Sequence, residues 1–293
     1  MVQALSCRFL ISLSVFTQGV QVWADTDDCT GGLLTASMTD FLDEYSKRPV
    51  AIFSLNHPHR APTEDLLERS ILNQTLSLSG LYTLSSHLSL VPLSVTSEWG
   101  STLTSQNKYR EFADLCYQDY NLYSSSAILA TAIDTATLPF RNKNGTLTFS
   151  QLFDYLTFNG RLPVSSCRIK LPFATTTETL RHILGSLNDF MDPLSPGISK
   201  LNTSEPFTAQ YTVRGAFNPQ ANSLLSAYAK GFGSRYMFME STTPVSVQAP
   251  FPDFFVEKFK HEVNCITCLE TGAGTGGALK KLSIYFSRGS FVF

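Results

Sequence analysis

One stretch constrains this chain more than any other. Residues 217–236, FNPQANSLLSAYAKGFGSRY, join an apolar helical face to a glycine turn and an aromatic strand start. Leu224, Leu225, Tyr228 and Phe232 recur at helical spacing, and Asn222 stands where an N-cap side chain accepts from the first turn. Gly231 and Gly233 can take the positive φ that ends a helix, and Met237 to Met239 read as the strand that follows. A chain organised around such a unit mixes helices with sheet. Nothing in the unit nominates a chemistry.

Composition narrows the classes. With 293 residues, 43% of them hydrophobic, the chain can bury a substantial core as one large domain or two small ones, which excludes disorder. A formal net charge of −2 with 16% charged residues leaves no basic field for a phosphate backbone, so nucleic acid is excluded as a partner.

The N-terminus reads as a secretory signal. Arg8 follows a short polar start, FLISLSVF is apolar, and Val22 and Ala24 occupy the −3 and −1 positions of a small-residue cleavage site. Cleavage is expected after Ala24, leaving a single domain over 25–293 that is secreted or held in the lumen of a secretory organelle. Later apolar runs fall short of the about 20 residues that a membrane-spanning helix requires. Asn73, Asn144 and Asn202 head glycosylation sequons on the same route. Cys7 leaves with the signal, so Cys29, Cys116, Cys167, Cys265 and Cys268 are the disulfide candidates, an odd set in an oxidising compartment. Cys265 and Cys268 form a CxxC with neither the βαβ setting of a redox pair nor two further zinc ligands.

Along the chain, residues 32–45 carry a helical stripe stopped by Pro49, residues 50–55 form a short apolar strand, and Thr63 opens a second helix. Residues 76–104 alternate Leu, Val and Tyr with Ser and Thr, which predicts half-buried strands. Residues 109–117 have helical spacing, TLTFSQLFDYLTF favours helix, and Thr175 with Glu178 forms a capping box ahead of a helix that Pro193 ends. Phe207 to Val213 reads as a strand, and Leu282, Ile284 and Phe286 alternate with polar residues as a final one.

From Cys167 onward the order is a cysteine with an extended apolar segment, CRIKLPF, then a helix, a loop, and the stretch that ends in Phe232, Gly233, Ser234, Arg235 and Tyr236. This resembles the membrane attack complex/perforin family, whose signature places an aromatic, glycine, threonine, histidine and a second aromatic in that order. Serine stands here for threonine and arginine for histidine. The resemblance lies mainly over 167–277 and implies an α+β fold with a bent antiparallel central sheet flanked by helical clusters. It implies a secreted protein that binds a lipid membrane surface and assembles with its own copies into a pore, which must close as a barrel because open sheet edges cannot sit in hydrocarbon. Phe254, Phe255, Phe259 and Val263 would form the membrane-active face, and Gly272, Gly274, Gly276 and Gly277 the flexible turn at the bend. The early end at Phe293 leaves room for a member without a complete second hairpin.

Two other readings remain open. A secreted structural or recognition glycoprotein without pore activity fits the same composition. CLETGAGTGGALKK also resembles the first motif of Rossmann-like methyltransferases through Gly272, Gly274 and Gly277, although the 16 residues after Gly277 cannot build the rest of the crevice. There is no GxSxG elbow and no HExxH, and His57, His59, His182 and His261 read as ordinary histidines. No catalytic residue, cofactor or metal ligand is assigned, and the protein reads as a non-enzyme.

Overall fold

The computed structural model describes residues 19–46, 48–56, 64–84, 88–99, 112, 115–117, 121–142, 147–173, 190–199, 206–215, 219–221, 223–224, 227, 236–248, 250–253 and 262–288. It opens with a parallel layer. Strands β1 (Val20–Asp25), β2 (Val50–Leu55) and β3 (Leu88–Leu93) pair in that order, with Val20 level with Val50 and Val50 level with Leu88. Two crossover helices link them, α1 (Cys29–Glu44) and α2 (Glu64–Leu84). Both faces of β2 and β3 are covered, which is why VAIFSL and LSLVPL read as near-continuous apolar runs. One face packs on Leu34, Met38 and Leu42, spaced four residues apart on α1, and on Leu81 of α2. The other face presents Ala51, Phe53, Val91 and Leu93 to Ile128, Leu129, Ala132 and Ile133 of α3 (Leu122–Ala136). Full burial of a side chain such as Phe53 contributes roughly 2 kcal/mol.

Asn121 caps α3, its side chain accepting from the Tyr123 amide. A short turn of helix, α4 (Leu138–Arg141), and then α5 (Phe149–Leu156) follow, the latter opened by a reciprocal capping box of Thr148 and Gln151. A second sheet takes β4 (Ser166–Lys170), β5 (Asp192–Pro193), β6 (Thr208–Arg214), β7 (Tyr236–Ser241) and β10 (Cys265–Thr271) in the order β5-β4-β10-β6-β7. Its pairs are antiparallel except β6 with β7. A small ribbon pairs β8 (Val245–Ser246) with β9 (Glu262–Val263). Finally α6 (Ala273–Arg288) returns to pack on α2, where the fully buried Trp99 donates its indole N–H to the Ala278 carbonyl at 2.8 Å.

The mixture of helix and sheet agrees with the coarse expectation, and the details depart from it. Its first layer is wholly parallel and its second sheet is mixed, so the described residues do not form a bent antiparallel central sheet of the perforin type. Residues 76–84, expected as strand, continue α2. Ile71, Leu78 and Leu81 recur on one helical face, and the hydroxyls of Thr75 and Ser77 donate to the Ile71 and Asn73 carbonyls at 2.7 and 2.6 Å, which keeps them compatible with a helix. The expected final strand through Leu282 and Ile284 is α6, with Leu282 buried beside Ile71, Leu78 and Trp99. Phe112 and residues 115–117 are not helical. Within the stretch 217–236, the described residues from Pro219 to Ala227 are helical and Tyr236 opens β7, while Leu225, Tyr228, Gly231, Phe232 and Gly233 lie outside the described residues.

Candidate functional site

Open α/β sheets take ligands beyond the carboxyl ends of their strands, and three parallel strands end side by side here, in consecutive order β1-β2-β3. Here β1, β2 and β3 run out at Asp25, Leu55 and Leu93, and the next residues tie the three ends together. The Thr26 amide donates to the Leu55 carbonyl at 3.1 Å, the Asn56 amide to the Leu93 carbonyl at 3.0 Å, and the Ser94 hydroxyl to the Asn56 carbonyl at 3.2 Å. Thr26, Asp27, Asn56, Ser94 and Thr96 are all buried there, together with Gln74 of α2. Asn56 Nδ2 donates to Gln74 Oε1 at 3.1 Å, and among the described residues Asn56 Oδ1 and Gln74 Nε2 have no partner. A buried amide with unmet capacity costs on the order of 1–3 kcal/mol.

The loop into α1 decides what this crevice can hold. Asp28 is the N-cap, and its Oδ1 accepts from the Thr30 amide at 2.8 Å while the Thr30 hydroxyl lies 2.5 Å away. A helix N-terminus is a ready anion site because its free N–H groups and dipole favour negative charge. In this protein the Asp28 carboxylate takes that place, and the preceding residue, Asp27, is buried. The Asn73 Nδ2 donates to the Asp27 carbonyl at 3.4 Å and fastens the loop to α2. Among the described residues there is no cluster of three metal-ligating side chains.

The residues expected to act from sequence are scattered. Of the signature, Phe232, Gly233, Ser234 and Arg235 lie outside the described residues, and Tyr236 is the first residue of β7. Gly272 closes β10 and Gly274, Gly276 and Gly277 lie within α6, so these glycines open a helix and form no hinge at a sheet bend. The methyltransferase-like reading fails at the same place, because the strand before the glycines runs antiparallel to both neighbours. Phe254, Phe255 and Phe259 lie outside the described residues, and Val263 is buried in β9. Among the described residues no helix is long and apolar enough to cross a membrane. Of the sequons, Asn144 and Asn202 lie outside the described residues, as do His57, His59, His182 and His261, and Asn73 sits within α2.

Cys29, Cys116, Cys167, Cys265 and Cys268 stand as free thiols in this structure. Cys29 and Cys116 are exposed and the other three are buried in the second sheet. Burial pushes the Cys265 thiol up to about 12, against a weaker opposing pull from the Thr135 hydroxyl, and pushes Cys167 and Cys268 well above the ordinary thiol range. None of the three is a poised nucleophile. Cleavage after Ala24 would cut within β1, where Ala24 is level with Ser54 of β2 and Val20, Val22 and Ala24 pack on the core. Sequence reasoning does not single out Asn56 or Gln74. The signal that points to the crevice is VQVWADTDDCTGG, a strand, an acidic loop and a helix start in succession.

No protein-family model matches the chain. It is 32% identical over 161 residues to protein misato homolog 1 of Bos taurus, covering 54% of this chain and 27% of that protein. It is 27% identical over 277 residues to protein misato homolog 1 of Mus musculus, covering 85% and 48%, and 27% identical over 158 residues to protein DML1 of Gibberella zeae, covering 53% and 29%. The chain thus spans half or less of the length of these curated relatives. They overturn the perforin resemblance, and with it the pore, the lipid membrane surface as partner, assembly into a barrel, and the secreted or lumenal setting. The secreted structural or recognition glycoprotein fits them no better.

Proposed function

We propose that this chain is a non-enzymatic binding protein of the misato and DML1 kind that works inside the cell, and that its strand-end crevice does not turn over a nucleotide. The observation that carries this reading is the Asp28 carboxylate seated on the N-terminus of α1. A phosphate brought to the same point would meet like charge, at a cost of about 4 kcal/mol per pair 4 Å apart at an effective dielectric of 20. The intracellular setting is supported by five free thiols, two of them exposed, a pattern that suits a reducing compartment.

The test is titration of the protein with fluorescent N-methylanthraniloyl GTP and ATP in magnesium buffer, alongside an assay for phosphate release. The expected result is neither saturable binding nor turnover above the buffer blank. Saturable binding with hydrolysis that Asp28→Asn strengthens or Thr30→Ala abolishes would sink the reading.

A further inference from the structure

The helix α3 turns two unlike faces to its surroundings. Ile128, Leu129, Ala132, Ile133 and Ala136 go into the core. Tyr123, Ser126, Ala127, Ala130, Thr131 and Asp134, spaced three and four residues apart, line the other side. Across from that side stand Val245 and Ser246 of β8 and the turn carrying Gln248, Pro250, Phe251 and Pro252. Because Ser126, Ala127 and Ala130 are small, an open groove of about 570 Å³ is left between helix and turn. That volume lies within the roughly 300–1,000 Å³ of small-molecule sites.

One end of the groove is charged. Among the described residues Asp134 and Arg214 are the charged ones that line it, and they form an ion pair. Asp134 also pairs with Arg141 at 2.6 Å, so one carboxylate is shared by two guanidinium groups and these three described residues together carry one positive charge. The Arg214 Nε is fixed on the Thr243 carbonyl at 3.0 Å, which holds the planar head at the groove wall. A guanidinium presents five donors in a fork, more than these bonds use.

We propose that this groove binds a small amphipathic acid, its apolar body against Ala127, Ala130, Val245 and Phe251 and its single anionic group on Arg214. Charge complementarity selects the ligand class: the wall is mostly apolar, and the residual charge at its polar end is positive. The site is separate from the strand-end crevice and does not depend on what that crevice binds.

The test uses the full chain and two probes of nearly equal shape, 8-anilinonaphthalene-1-sulfonate, which is anionic, and N-phenyl-1-naphthylamine, which is neutral. Fluorescence titration is expected to show one saturable site for the anion. Ala130→Phe, at an exposed helical position, fills the groove and should weaken both probes about tenfold or more. Arg214→Gln should weaken the anion about tenfold and leave the neutral probe within about twofold, as loss of a charge-assisted bond requires. Ala130→Glu and Ala130→Gln fill the same volume and differ in charge, so the anion should bind about tenfold more weakly to the first than to the second while the neutral probe binds both within about twofold, and circular dichroism checks the fold of each variant. The proposal is overturned by an absence of saturable anion binding, by an affinity unchanged in Ala130→Phe, or by equal anion affinity in Ala130→Glu and Ala130→Gln.

Discussion

Gly31 and Gly32 are neighbours in the first turns of one helix, and the structure gives them opposite expected responses to the same substitution. A Cβ on Gly31 would lie 2.1 Å from Ser77 Oγ, 2.9 Å from Ser77 Cβ and 3.1 Å from the Thr26 carbonyl oxygen, whereas a Cβ on Gly32 meets nothing within 4 Å. Ser77 cannot readily move aside, since it is 3% exposed and its hydroxyl is held by the Asn73 carbonyl at 2.6 Å. Overpacking of this kind costs about 1–3 kcal/mol, and alanine in place of a helical glycine returns up to about 1 kcal/mol. Gly31→Ala is therefore expected to destabilise by about 1–2 kcal/mol, and Gly32→Ala to stabilise by about 0.5–1 kcal/mol. Urea unfolding followed by far-ultraviolet circular dichroism separates these outcomes. Ser77→Ala removes the nearer atom but leaves the Cβ, so adding it to Gly31→Ala should restore part of the loss, with a coupling of at least about 0.5 kcal/mol. If Gly31→Ala stabilises as much as Gly32→Ala, α1 does not approach α2 as described, and the placement of the acidic loop at the crevice falls with it.

The other expectations concern the second sheet. Arg168 and Glu270 form a 2.7 Å ion pair with both side chains less than a tenth exposed, so Glu270→Ala should cost about 3 kcal/mol in the same urea assay by removing a buried counter-charge, although Arg168 keeps its bond to the Ser199 carbonyl. A loss below about 1 kcal/mol would mean that water reaches the pair. In a Cys7→Ser background, iodoacetamide at pH 8 should label Cys29 and Cys116 in the folded protein and reach Cys167, Cys265 and Cys268 after denaturation, as peptide mass spectrometry would show. Modification of Cys265 at the rate of Cys29 would contradict its burial and its raised pKa.

Where local chemistry and tertiary demand agree, the elements are legible in the chain alone. The helix over residues 29–44 shows its buried stripe of Leu34, Met38 and Leu42, β2 shows a continuous apolar run, and α5 shows the helical spacing of Leu152, Phe153 and Leu156. Alternating Leu with Ser and Thr across 76–84 satisfies the period of a strand as well as one face of a helix. Burial of Ile71, Leu78 and Leu282 with Trp99 decides it, through residues far apart in the chain. The candidate site is hidden for a related reason. In isolation VQVWADTDDC is a short apolar run ahead of an acidic stretch, equally suited to the end of a leader; its identity as strand and loop depends on pairing with Val50–Leu55, some 30 residues later. Sequence by itself determined that helices and sheet would combine around a large core, because periodicity and composition act locally. Which strands became neighbours, which carboxylate came to sit on which helix end, and which side of α3 stayed open were settled in the tertiary structure, because each depends on long-range contacts that no single stretch of chain contains.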